Sequence, residues 1–250
     1  MPLAVFKCSQ PVTKGYEMDA LQPCVYETPF GERLQYRFHA PVAQPGKTYP
    51  LLLLLHGAGE RGDDNQKQLI HGAGPIMDHA AQRGIEFFFV VPQCPAGLQW
   101  VNASWSATAH TMPEFPSTPM RLAIELLQRL IGELPVDRDR VYVTGISMGG
   151  YGTWDLVQRK AELFAAAVPV CGGGDVAMAP RLAKLPIWAF HGDRDTVVPT
   201  VRSRAMVEAV RAHGGAIQYR EYPGVEHNSW APTYADPQVL DWIFSQKRKP

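Results

Sequence analysis

The chain has 250 residues, with 24 lysines and arginines against 24 aspartates and glutamates. That balance leaves no net field to draw nucleic acid, anionic lipid or another polyanion, so a small, roughly neutral partner is expected. No stretch approaches the ~18 consecutive apolar residues of a membrane span, and the length suits one α/β domain over residues 1–250 rather than two.

Residues 1–24 hold no clear period and are expected to form an N-terminal arm or an extra edge element. They also lack a basic stretch leading into a long apolar run, so the chain as written is expected in the cytoplasm, or outside it if a leader has been removed. Polar and apolar residues then alternate on either side of Pro29-Phe30-Gly31 between Val25 and Pro41, which predicts an antiparallel hairpin.

From there the pattern changes. Tyr49 to Leu55 is a continuous apolar run that stops at His56-Gly57-Ala58-Gly59, as a strand buried on both faces would. Further strands are predicted at Phe87–Val91, Arg140–Gly145, Ala165–Cys171, Pro186–Phe190 and Ala216–Tyr222. Helices are predicted at Pro119–Leu134, Gly149–Lys160, Val201–His213 and Pro237–Gln246. Strands alternating with helices imply parallel pairing, because a parallel pair needs a crossover. The expected architecture is therefore α/β: a doubly wound, mostly parallel sheet led by an antiparallel hairpin. Cys8, Cys24, Cys94 and Cys171 form no CxxC spacing and are expected to be free thiols.

Gly145-Ile146-Ser147-Met148-Gly149 fits G-x-S-x-G, a short pattern that is weak alone. A strand before it and a helix after it supply the setting in which a sharp turn lifts a serine hydroxyl above a sheet edge. The glycines let neighbouring backbone approach without a Cβ, and the helix N-terminus favours developing negative charge. A serine hydroxyl needs a base and a group to orient that base. Asp195, in the loop His191-Gly192-Asp193-Arg194-Asp195, and His227, after the last strand, complete the order Ser, Asp, His. Asp193 is the rival acid, with capping of a turn as its ordinary role, and Asp155 falls inside the helix after the serine, where it is expected to be a surface or pairing residue. The backbone N–H groups of Met148 and Ala58, with Gly59 behind Ala58, are the expected oxyanion donors. The absence of a Gly-Lys-Ser/Thr sequel argues against an NTP loop, and neither a zinc spacing nor a dinucleotide fingerprint appears, so no metal or organic cofactor is implied.

With these motifs in place the chain resembles the α/β-hydrolase superfamily, in the esterase-like branch holding feruloyl and acetylxylan esterases, dienelactone hydrolases and prolyl oligopeptidase catalytic domains. The resemblance runs from about Val25 to the C-terminus and rests on residues 56–62, 145–150 and 191–199. It implies Asp195 as the acid. Its strand order sets the strands before Cys94 and Cys171 three steps apart at roughly 4.8 Å each, beyond the ~7 Å Cα limit for a bridge.

Between Cys171 and Pro186 there is no room for a large lid, so the site is expected to be open and walled by residues 95–118. Trp100, Trp105 and Trp230 are candidate substrate contacts, each weighed against simple anchoring of a loop. Arg61, with Glu60 and Asp63, is expected either to bond a polar substrate or to stitch its own loop. The resulting expectation is a serine-dependent carboxylic-ester hydrolase acting through an acyl-enzyme on short-chain or carbohydrate-linked acyl esters. Its rivals are a serine peptidase on short peptides, which would use the same residues, and a non-catalytic binding protein on the same fold.

Overall fold

A computed structural model of the chain describes residues 20–248. An eight-stranded sheet runs through it, in the order β1-β2-β4-β3-β5-β6-β7-β8. The hairpin is β1 (Gln22–Glu27) and β2 (Arg33–His39), paired antiparallel. Its turn is held by the Thr28 hydroxyl, which accepts from the Phe30 and Glu32 amides, and Gly31 takes the positive φ of 83° that the reversal needs. β2 lies antiparallel to β4 (Phe88–Pro92), and all later pairings are parallel.

β3 (Tyr49–Leu55) is buried at all seven positions. Leu51, Leu53 and Leu55 face a core layer under α2 (Thr118–Glu133) and α3 (Met148–Lys160). Leu52 and Leu54 face the opposite layer under α1 (Ala73–Arg83) and α6 (Pro237–Ser245). Alternate side chains thus serve two cores, each leucine contributing about 2 kcal/mol of transfer free energy. The helix starts follow capping rules: Ser117 Oγ accepts from the Met120 amide before α2 and Asp236 from the Gln238 amide before α6, each followed by a proline in the first turn.

The remaining strands are β5 (Val136–Ile146), β6 (Ala166–Val170), β7 (Ile187–Gly192) and β8 (Ile217–Tyr222), with α4 (Val201–Ala212) between the last two and α5 (Trp230–Ala235) after β8. β5 begins earlier than its apolar run, because Val136 pairs with Tyr49 across an irregular step in register. α1 and α5 carry Pro75 and Pro232 near their starts, where a proline sacrifices no internal hydrogen bond. The chain passes from β3 to β4 on one side and then to β5 on the other. This reversal opens a crevice at the carboxyl ends of β3 and β5, where Leu55 and Gly145 are register partners.

Residues 22–24 lie in edge strand β1, while the expectation for residues 1–19 falls outside the described residues. One cysteine expectation is corrected: Cys24 is disulfide-bonded. Scattered spacing gave no sign of it, because pairing is decided by tertiary approach rather than by sequence interval. Cys94 and Cys171 are free and buried, and Cys8 lies outside the described residues.

Candidate functional site

Ser147 occupies the one-residue joint between β5 and α3, at φ 53° and ψ −116°. A non-glycine residue rarely holds a positive φ, and the strain is sustained by what surrounds it. A Cβ on Gly149 would lie 1.9 Å from the Leu55 carbonyl oxygen, and one on Gly145 would lie 2.3 Å from that of Gly149. Only glycine lets α3 press this closely on β3 and β5. The turn therefore delivers the serine hydroxyl to the crevice, with the N-terminus of α3 directly beneath it.

Ser147 Oγ donates to His227 Nε2 at 2.8 Å, and His227 Nδ1–H donates to Asp195 Oδ2 at 2.7 Å. The tautomer follows from the network, since an ionised carboxylate only accepts. Asp195 Oδ1 accepts from the Val197 and Val198 amides, both at 2.9 Å. Burial works to raise the Asp195 pKa, but hydrogen bonds from His191, His227 and the Val198 amide outweigh it and hold the carboxyl well below the usual range. The Asp195 side chain is 0% exposed, whereas that of His227 is 21% exposed, so the imidazole is the member open to the crevice. His191 supports this arrangement from below: its Nε2 lies 3.0 Å from the Val198 carbonyl oxygen and 3.2 Å from Asp195 Oδ2, and its Nδ1 meets Ser203 Oγ at 2.7 Å.

The rival acids are placed elsewhere. Asp193 Oδ1 accepts from the Gly224 amide at 2.7 Å, which is the turn-capping role weighed against catalysis. Asp155 is buried in α3 and paired with Arg159 at 2.8 Å; burial raises its pKa, partly offset by that guanidinium.

The loop after β3 forms the other wall. Gly57 is extended and Ala58–Glu60 make a single 3-10 turn. His56 fixes its base: the Cys94 amide donates to His56 Nε2 at 2.8 Å, so the proton sits on Nδ1, which donates to the Gly57 carbonyl at 2.6 Å. Burial pushes the His56 pKa down to about 4. Gln93 locks the far end, donating to the Glu60 carbonyl and to Asp64 Oδ1 while accepting from the Asn65 amide. Ala58, half-buried, has its carbonyl held by Arg61 Nε at 2.8 Å. Across the crevice Met148 is the first residue of α3, so its N–H has no helical carbonyl to pair with.

Arg61 also donates to the Leu98 carbonyl at 3.2 Å, so it joins two loops, the stitching role of its two alternatives. Trp100 is 0% exposed and its indole N–H donates to the His56 carbonyl at 3.0 Å. Its burial supports anchoring of the 95–118 segment rather than contact with a substrate. Trp105 is half-buried on that segment, its carbonyl accepting from the Tyr151 hydroxyl at 3.0 Å. Trp230 is half-buried at the start of α5 and stands edge-on to His227, with ring centroids 5.3 Å apart. The sequence reading did not single out His56, Gln93, His71 or His191; of these, His56 and His191 directly precede the glycines of the loops that hold Ala58 and Asp195.

Among the described residues, Cys171, Asp195 and His227 form a group whose possible ligand atoms lie within 4.8 Å of one another. Burial pushes the Cys171 thiol up to about 12, which disfavours the thiolate a metal would need. Asp195 and His227 are moreover already committed to each other.

Three comparisons bear on this arrangement. Residues 119–238 match the dienelactone hydrolase family. The chain is 26% identical over 175 residues to the putative esterase NocK of Nocardia uniformis subsp. tsuyamanensis, and 28% identical over 150 residues to a bifunctional acetylxylan esterase/xylanase of Neocallimastix patriciarum. These alignments cover 68% and 60% of this chain but 47% and 20% of the two relatives. The crystal structure of a thermostable esterase superposes with a TM-score of 0.85 at 38% identity, covering 92% of this chain and 64% of that one.

Proposed function

We propose, from the premise that the chain is an α/β-hydrolase of the esterase-like branch, that it is a serine-dependent carboxylic-ester hydrolase working through an acyl-enzyme. The observation that carries the reading is the unbroken series from Ser147 Oγ through His227 to Asp195, at 2.8 and 2.7 Å. In this reading Ser147 Oγ attacks the ester carbonyl while His227 Nε2 takes its proton. The Met148 and Ala58 amides hold the oxyanion, and the imidazolium then protonates the departing alcohol. A water activated by the same nitrogen releases the acid and restores Ser147. Asp195 stays ionised throughout, fixing the imidazole and compensating its transient charge.

The substrate class proposed is a short-chain or carbohydrate-linked acyl ester. Half-buried Trp230, 5.3 Å from the His227 ring, supports it, as a ring that offers an apolar face with a polar edge, with half-buried Trp105 on the 95–118 segment as a second candidate. The Neocallimastix patriciarum relative, an acetylxylan esterase/xylanase, points the same way for that protein.

The test is hydrolysis of 4-nitrophenyl acetate by the native protein and by Ser147→Ala, with a peptide 4-nitroanilide in parallel. Loss of about 10⁴-fold or more in the variant is expected, with ester turnover exceeding amide turnover. Comparable amide turnover would favour a peptidase, and a native protein that neither turns over nor reacts with a fluorophosphonate would leave a binding role for the fold.

A further inference from the structure

Both carboxylate oxygens of Asp195 are doubly met, and one of the groups that meets them has no part in the series from Ser147 to His227. Oδ1 accepts from the Val197 and Val198 amides, while Oδ2 accepts from His227 Nδ1 at 2.7 Å and lies 3.2 Å from His191 Nε2. The Val198 carbonyl oxygen stands 3.0 Å from that same nitrogen. A carbonyl and an ionised carboxylate only accept, so His191 carries its proton on Nε2 and shares it between the two.

This second imidazole is fixed from behind. The His191 side chain is 0% exposed, its Nδ1 meets Ser203 Oγ at 2.7 Å, and that hydroxyl also lies 3.2 Å from the Gly172 carbonyl oxygen. Gly172 presses in turn on the first turn of α3, where a Cβ on it would stand 2.4 Å from the Gly150 carbonyl carbon. β7, α4 and the chain after β6 thus hold the ring in place beside Asp195. Two donors on one oxygen draw on the same negative charge, so a carboxylate that also meets His191 binds the His227 proton less tightly than one facing His227 alone. Burial works to raise the Asp195 carboxyl, and the contact from His191 is the largest of those that hold it down, ahead of His227 itself.

We propose that His191 is a positioning residue that sets the strength of the base: by sharing Asp195 Oδ2 it keeps the carboxylate from over-stabilising the His227 imidazolium, so that His227 stays neutral and able to take the Ser147 proton in mildly acid solution. The inference rests on the esterase reading and adds what regulates its base. The other titratable groups facing this pair leave the acid limb of activity to His227. Burial raises the Tyr151 hydroxyl of α3 and pushes the Cys171 thiol, just after β6, up to about 12. A hydrogen bond from Arg204 of α4 holds the Glu221 carboxyl of β8 below its usual value.

The experiment follows kcat and KM for 4-nitrophenyl acetate against pH in the native protein, His191→Phe, His191→Asn and His191→Gln. Phe removes the donor, Asn keeps an amide that reaches toward Ser203 but not Asp195, and Gln places an N–H where Nε2 stood. Activity falls as pH drops and His227 takes up a proton, so a more tightly held proton moves that limb upward. In His191→Phe the acid limb should rise by about one pH unit, with kcat at the optimum about 10-fold lower and KM changed by less than about twofold. His191→Asn should behave alike, which keeps the test should Phe fail to fold, and His191→Gln should restore the native limb. The NMR resonance of the His227 Nδ1 proton gives a readout that needs no turnover, and it should lie further downfield in Phe and Asn than in the native protein and Gln. A limb and a resonance unmoved in Phe and Asn, or moved equally in Gln, would mean that His191 only fills space, and would overturn the proposal while leaving the esterase reading intact. Native inactivity, without labelling of Ser147 by a fluorophosphonate, overturns both.

Discussion

The floor of the crevice and its rim are built on opposite terms. On the floor, Ser147, Asp195, His191 and His56 each bond partners inside the chain, and Gly145, Gly149 and Gly192 meet backbone at distances that no Cβ survives. At the rim, Trp230 is half-buried at the start of α5 beside the His227 ring, and Trp105 is half-buried on the 95–118 segment. The floor has its bonds made within the chain, and the proposed function would place chemistry there, where the sheet over-determines geometry, and selectivity at the rim.

The sharpest way to break this contrast is at the two aspartates of one loop. Asp195→Asn keeps the shape of the floor but takes away the acceptor that fixes the His227 tautomer, and a fall of about 10⁴-fold in kcat is expected. Asp193→Asn, two residues away, leaves an acceptor for the Gly224 amide and should change kcat by less than about threefold. Steady-state kinetics on 4-nitrophenyl acetate read both. Equal losses would mean that the loop acts as a unit and that Asp195 has no separate role.

Legibility follows the same line. The turn at Ser147 was readable because a positive φ next to close backbone admits so few residue types that the requirement is written in the letters Gly145 to Gly149. Asp195 and His227 were readable because a strand end fixes where each loop begins. α1 was not, since Gly74-Pro75 reads as a break although a first helical turn accommodates proline. Neither was the depth of the tryptophans: Trp100 and Trp105 lie in one segment with similar neighbours, and only the packed fold sends one inward and leaves the other half-exposed.

The tryptophans give the next largest effect. Trp100 packs against α3, where a Cβ on Gly152 would stand 2.9 Å from Trp100 Cβ, and its indole N–H holds the His56 carbonyl. Trp100→Phe should therefore cost about 2 kcal/mol of unfolding free energy through the lost hydrogen bond and volume, and Trp100→Ala about 3–5 kcal/mol. Trp230→Ala should cost about 1 kcal/mol or less while raising KM for a glyceryl ester roughly 10-fold. Urea unfolding beside kinetics separates these effects. A Trp230 variant that is destabilised as much as the Trp100 variant, with KM unmoved, would place Trp230 with the floor.

The smallest effect sharpens the contrast by pH. Folding keeps the His56 imidazole neutral, with its pKa pushed from the ordinary 6.5 down to about 4 by burial. Between those values the unfolded chain takes up a proton that the folded chain refuses, so stability is complete above pH 6.5 and drains away as pH falls toward 4. A shift of this size corresponds to roughly 3 kcal/mol. Asp195 contributes with the same sign but in a lower window, because its depressed pKa matters only below the ordinary carboxylate range near ~3.9. Urea unfolding free energies measured from pH 7 to pH 4 should thus fall more steeply for the native protein than for His56→Gln, which has no imidazole to protonate. The variant starts lower at pH 7, having lost the fit to the Cys94 amide and the Gly57 carbonyl, and the two curves should converge as acid is added. Curves that stay parallel over this window would mean that the floor opens locally and lets His56 titrate in the folded state, and the loop carrying Ala58 would then be no more fixed than the rim.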